Sequence, residues 1–137
     1  MVSEPKSYVL DSYALLAYLQ DEPGAARVQR LLNLAKKRRA ALWISVVNLA
    51  EALYITERER GLPKVQQAIA MIDELPLHVV DVDRALAFSA AHVKARHALA
   101  FADAFAVALA KEKKASVVTG DPEFKTVAKE IPIEWLA

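Results

Sequence analysis

Four acidic side chains stand where an α/β chain can do chemistry. Asp11 closes "SYVLD", Glu51 lies in the second turn after "LWIS", Asp103 is the one ionisable residue of "ALAFADAFAVALA", and Asp121 ends "SVVTGD". In open α/β sheets ligands bind beyond the carboxyl ends of the strands, so the four can meet at one edge. Carboxylates gathered in one place repel one another and take up protons unless a cation lies among them. Oxygen donors suit a hard divalent ion, Mg²⁺ or Mn²⁺, which takes one or two carboxylates and leaves room for phosphate oxygens. A phosphate ester is therefore the natural substrate. Zinc would want His or Cys. The chain has no cysteine, and His78, His92 and His97 show no ligand spacing, so they read as ordinary surface or boundary residues.

Each acid also has a plain structural reading. Asp11 can cap a helix, Asp121 sits in a Gly-Asp-Pro turn, and Asp103 can be a first-turn acid favoured by the helix dipole. Glu51 resists such a reading, because Ser45, Asn48 and Glu51 fall at steps of three and form one polar stripe on an otherwise apolar helix. One shared site accounts for all four more simply than four coincidences.

Short apolar runs alternate with longer segments of helical period, which predicts an α/β fold with a mostly parallel sheet. "SYVL", "LWIS", "LHVV" and "SVVT" read as strands, and "IPIEW" as an added edge strand, since Pro132 removes a ladder donor. Asp11 or Ser12 can cap the helix "YALLAYLQ", which Pro23 and Gly24 end. "AARVQRLLNLAKK" and "VVNLAEALYITERER" are the next helices, the latter capped by Ser45 and stopped by Gly61, and Pro63 suits the first turn of another. Further helices run from about Arg84 to His97 and from about Phe101 to Lys114, and "GDPEF" turns the chain into a short closing helix.

At 137 residues the chain suits a single domain, 1–137, with one well-filled core. Hydrophobic residues at 55% and charged residues at 26% are the balance of a folding chain. A net charge of +1 gives no global attraction to polyanions, so any such binding rests on local patches. The absence of cysteine excludes disulfides and a thiol nucleophile and fits a reducing cytosol. The start, "MVSEPKSYVLDSYALLAYLQ", lacks the layout of a secretion signal, and no apolar run approaches the roughly 20 residues of a membrane span. The expectation is a cytoplasmic protein with no membrane contact.

"YVLDSYALLAYL", "SVVNLAEALY", "FADAFAVALA" and "VVTGDPEFK" resemble, in that order, the four blocks of the PIN-domain family, particularly VapC-type toxin ribonucleases. The resemblance runs from Tyr8 to Lys125. It implies a three-layer α/β/α fold on a mostly parallel sheet of four to five strands. It also implies a Mg²⁺- or Mn²⁺-dependent endoribonuclease acting on RNA, commonly a homodimer, inhibited by a small antitoxin protein. Carried over by position, the metal-binding and catalytic acids are Asp11, Glu51, Asp103 and Asp121, with Ser45, Asn48 and Thr119 as polar support. Asp11 and Asp103 come first as direct ligands; Glu51 either reaches the metal or positions the water, and Asp121 acts through a water shell. The family often carries a hydroxyl residue three places before the third acid, where this chain has Ala100.

RNA also needs cations outside the metal site. Lys36–Arg39, Arg58 with Arg60, and Lys111–Lys114 can each contact phosphates or simply be helix-end charges in water, and Arg96 is the favoured substrate contact. Apolar residues of the early helices, Leu15, Leu19, Leu31, Leu32 and Leu53, are expected to serve a dimer or an antitoxin segment as well as the core. The rival readings are an RNA-processing nuclease of the same family outside a toxin pair, and a non-catalytic RNA- or protein-binding module, which would normally have lost one of the acids. An aspartyl-phosphate phosphatase would want a second acid where Tyr13 stands, and a receiver domain a lysine where Asp121 stands.

Overall fold

The computed structural model describes residues 5–136, so the first four residues of the stretch read against a secretion signal lie outside the described part. The five strands are β1 (Lys6–Leu10), β2 (Ala40–Ser45), β3 (His78–Val80), β4 (Ser116–Thr119) and β5 (Ile133–Trp135). The helices are α1 (Ser12–Leu19), α2 (Ala25–Lys36), α3 (Val46–Arg60), α4 (Leu62–Asp73), α5 (Arg84–Arg96) and α6 (Phe101–Lys113), with a short 3₁₀ helix at Pro122–Val127. The strands pair in parallel throughout, in the order β3-β2-β1-β4-β5. The edge strand expected of "IPIEW" is β5, and its Pro132 carbonyl still accepts from Val117 at 3.0 Å. Helix α1 stops short of Pro23, because the chain turns at Asp21 with a φ of +52°.

Alternation along β1 divides the interior into two cores. Val9 and Val117 face α5, α6 and the 3₁₀ helix, among Leu86, Val93, Val107 and Phe124. Tyr8, Leu10 and Val118 face α1 to α4, among Leu15, Val28, Leu32 and Ile72. A strand buried on both faces reads as an unbroken apolar run, which is why "SYVL" and "SVVT" show no alternation. The sheet order reverses between β1 and β4: the chain builds to one side through β2 and β3, then returns to the other side of β1. Such a switch point leaves a crevice at the carboxyl ends of the two central strands.

The apolar candidates for a partner surface need correction. Leu15, Leu31 and Leu32 are only 1%, 5% and 1% exposed, because α1 and α2 lie with those stripes against the sheet; Leu19 is half-buried against the same core, and Leu53, also half-buried there, lines an open groove as expected of a residue shared between core and surface. Exposed apolar side chains lie elsewhere, among them Tyr54, Leu62 and Ile69 on α3 and α4. Among the described residues no helix is long and apolar enough to cross a membrane.

Phe124 is fully buried, whereas Phe88 is an exposed residue of α5. Phe124→Ala is expected to lower stability by about 3–5 kcal/mol and Phe88→Ala by no more than about 0.5 kcal/mol, as read from urea melts of both variants.

Candidate functional site

Asp11 follows the last residue of β1 in extended conformation and caps α1, its Oδ1 accepting from the Ala14 N–H at 2.8 Å. Its Oδ2 accepts from the Thr119 hydroxyl at 2.5 Å, and the Thr119 oxygen accepts in turn from the Asp121 N–H at 3.0 Å. One hydroxyl at the end of β4 thus ties together the first and fourth acids. Asp121 caps the 3₁₀ helix by accepting from the Glu123 N–H at 2.9 Å, which curls the chain so that Glu123 returns toward the site. Both aspartates do what their structural readings required, and they do it at the switch point.

The other two acids come from helices. Ser45 caps α3, its hydroxyl accepting from the Val47 N–H at 3.0 Å. Glu51 then lies farther along α3, where its Oε1 accepts from the Ser12 hydroxyl. Asn48, fully buried, donates through Nδ2 to the Ala102 carbonyl at 3.1 Å, tying α3 to the first turn of α6 beside Asp103. Its Oδ1 is buried with no partner. Ala100, the N-cap residue of α6, offers no side-chain cap, so this start is held from outside by Asn48 instead of by a local hydroxyl.

Asp11, Glu51, Asp103 and Asp121 line a single cleft of 250 Å³, together with Ser12, Tyr13 and Glu123. The tightest group is Asp103, Asp121 and Glu123, whose carboxylate oxygens lie within 4.8 Å of one another. Glu123 and Ser12 were not anticipated from the sequence. The signal for Glu123 was present in "GDPEF", where a capping Asp followed by Pro predicts a tight turn that brings the residue two places on back alongside.

The electrostatics are those of unneutralised like charges. Burial, followed by the nearby charges of Asp121, Glu51 and Glu123, pushes Asp103 up to about 7 from an ordinary 3.8. Burial pushes Asp11 up to about 7 as well, and Asp103 and Asp121 add to the rise, against the Thr119 and Ala14 hydrogen bonds that favour its charged form. Three clustered carboxylates and two more along the same cleft are a donor set of oxygens alone, which fits a hard divalent cation.

The Lys36–Arg39 and Lys111–Lys114 runs lie at the other end of the sheet. Lys36–Arg39 lead into Ala40, and Lys111–Lys114 end α6 just before β4, while Ala40 pairs with Lys6 at the start of β1. Five residues of strand, about 16 Å, separate that edge from Asp11. Lys111 binds Glu130 at 3.0 Å, Lys113 lies 4.2 Å from the Trp43 ring centroid, and Arg58 stacks over Tyr54 at 5.1 Å, so these runs act as helix-end and packing charges. Arg96 is exposed at the end of α5, joined to α6 by residues 97–100, and does not line the acidic cleft.

A family model described as the PIN domain matches residues 8–130. Among solved structures, VapBC2 from Rickettsia felis, bound to a DNA fragment from its promoter, is similar with a TM-score of 0.77 at 19% identity, over 96% of this chain and 99% of that one. DNA-bound VapBC from Salmonella typhimurium gives 0.75 at 22% identity, over 94% and 97%. VapC20 from Mycobacterium tuberculosis, a sarcin-ricin loop cleaving toxin, gives 0.71 at 19%, over 90% and 95%. At these identities the likeness is one of fold. No curated protein matches the sequence.

A carboxyl with a raised folded-state pKa binds its proton more tightly in the folded protein. Its contribution is whole below about pH 4 and is lost as pH rises to about 7. The metal-free protein is therefore expected to melt at a higher temperature at pH 5 than at pH 8. Asp103→Asn is expected to flatten that slope and to gain on the order of 1 kcal/mol at pH 8, read by thermal melts in chelator.

Proposed function

Because the chain belongs to the PIN-domain family, we propose that it is a divalent-metal-dependent endoribonuclease, the toxin of a VapBC-type pair. The observation that carries this reading is the meeting of Asp11, Glu51, Asp103, Asp121 and Glu123 in one cleft, with two of the five pushed up to about 7 by burial and by the charges of neighbouring acids. Asp11, Asp103, Asp121 and Glu123 would hold Mg²⁺ or Mn²⁺. When bound, the ion supplies Lewis-acid activation of water and neutralises charge on the phosphate.

The side chains around the ion have separate tasks. Thr119 and the Ala14 N–H fix the orientation of Asp11, and Asn48 fixes the start of α6 that carries Asp103. Ser12 holds one oxygen of Glu51, whose second oxygen orients the attacking water and takes its proton. Water then attacks phosphorus in line with the departing ester oxygen, with no histidine required. Asp121 sets the turn that presents Glu123.

Partners follow from the same reading. The solved VapBC assemblies support an antitoxin, and the open groove of 680 Å³ lined by Tyr54, Leu62 and Ile69 is an apolar surface suited to a protein partner or a second copy. Arg96 serves as a phosphate contact outside the cleft, and the protein works in the cytoplasm.

The purified chain is expected to cleave single-stranded RNA in Mg²⁺ or Mn²⁺ and to stop in chelator. Asp11→Asn, Glu51→Gln and Asp103→Asn are each expected to lower cleavage by at least about 100-fold, the scale of losing one stabilising group in the transition state. Manganese should raise the melting temperature of the wild type and raise that of Asp103→Asn much less. Equal metal-induced shifts with retained cleavage would refute the site. In light scattering the protein is expected to run as a dimer, and Tyr54→Asp should weaken either that dimer or the complex with a co-expressed antitoxin.

A further inference from the structure

A second cleft adjoins the acidic one. It measures 220 Å³ and is lined by Tyr13, Leu16, Ala17, Glu22 and Pro23, of which Tyr13 and Leu16 also line the acidic cleft. Tyr13, Leu16 and Ala17 share one face of α1 at i, i+3 and i+4 spacing, and Glu22 and Pro23 come from the turn after that helix. The volume equals roughly seven waters, room for one planar heterocycle and below that of a drug-sized pocket.

Tyr13 is 46% exposed, one of several aromatics at the surface with Tyr54, Phe88 and Phe101. It is nevertheless held in place. A Cβ on Gly120 would collide with the tyrosine ring, so the phenol end rests directly on the backbone just before Asp121. A solvent-facing ring fixed against the turn that carries one of the acids has the form of a stacking platform. Bases splayed from single-stranded RNA stack on such rings, and every base has a face to offer.

Resting on the nuclease reading, we propose that this cleft receives the nucleobase next to the scissile phosphate, stacked on Tyr13, with the Glu22 carboxylate accepting from an exocyclic amino group. Adenine, cytosine and guanine carry such a group; uracil presents carbonyl oxygens in its place, which a carboxylate repels. The cleft is thus a selectivity subsite that disfavours uridine. It holds its base through an apolar face and one acceptor, and so adds no phosphate contact beside the acids.

The test uses the full chain and end-labelled RNA octamers of adenosine, cytidine or uridine, with binding followed by anisotropy in Ca²⁺ and cleavage in Mn²⁺. Wild type is expected to bind and cleave the adenosine and cytidine octamers better than the uridine octamer. Tyr13→Ala should weaken binding about tenfold, the scale of one base–aromatic stack, and act more on KM than on kcat, while Tyr13→Phe restores it. Glu22→Ala should erase the difference between cytidine and uridine. The manganese-induced shift in melting temperature should be the same in all three variants as in wild type, showing that fold and acids are intact. Wild-type kinetics in Tyr13→Ala, or no discrimination against uridine, would overturn the subsite and leave the nuclease reading standing. A wild type that neither binds nor cleaves any octamer would overturn the nuclease reading and the subsite with it.

Discussion

The rest of the structure is arranged around one constraint: Asp11 and Asp103, 1% and 7% exposed, are carboxylates buried within reach of each other's charge. Buried anions without a counter-charge cost enough that they protonate, and the rise of both to about 7 expresses that cost. Thr119 reduces it for Asp11 by donating to Oδ2, and the same oxygen fixes the Asp121 backbone, so the ends of β1 and β4 are joined through one hydroxyl. Asn48 joins α3 to α6. The props hold the acids together without cancelling their charge, which leaves that task to a cation.

Helix direction sorts the charges of the whole molecule. In a parallel sheet each connecting helix starts at the carboxyl edge and returns to the amino edge. The starts of α1, α6 and the 3₁₀ helix therefore bring Asp11, Asp103 and Asp121 to the cleft, and the start of α3, capped by Ser45, leads to Glu51 there. Helix starts carry partial positive charge, which favours the acids there. The ends of α2, α3 and α6 carry Lys36, Arg58 and Arg60, and Lys111 and Lys113, where the dipole favours cations. One backbone effect accounts for both sets, and a nearly neutral chain becomes acidic at one edge of its sheet and basic toward the other.

This polarity bears on how RNA would be held under the proposed nuclease reading. The Lys36–Arg39 and Lys111–Lys114 runs lie toward the opposite edge of the sheet, so under the proposed nuclease reading affinity at the cleft would depend on the cation and on contacts that are not ionic. The exposed Tyr13 ring against Gly120 is such a contact, and it lies on the same turn as Asp121. Under the proposed reading, the base-stacking ring of α1 would rest directly against the turn that carries Asp121.

The sequence by itself determined the elements and the edge at which the acids gather. Strand runs, caps at Asp11 and Ser45, the stop at Gly61 and the lone carboxylate in "ALAFADAFAVALA" are local signals, each written in neighbouring residues and each enough to place an acid after a strand or at a helix start. Only the tertiary structure decided which groups touch. The link from Thr119 to Asp11 spans 108 positions and that from Ser12 to Glu51 spans 39, and no local pattern encodes either. The return of Glu123 depends on the exact winding of one turn, and the burial of Leu15, Leu31 and Leu32 depends on which helix face meets the sheet. The sequence left the basic runs open between phosphate contacts and helix-end charges for the same reason: charge can be counted along a chain, but its distance from a site is set by strand direction and order, which arise only when non-local strands pair.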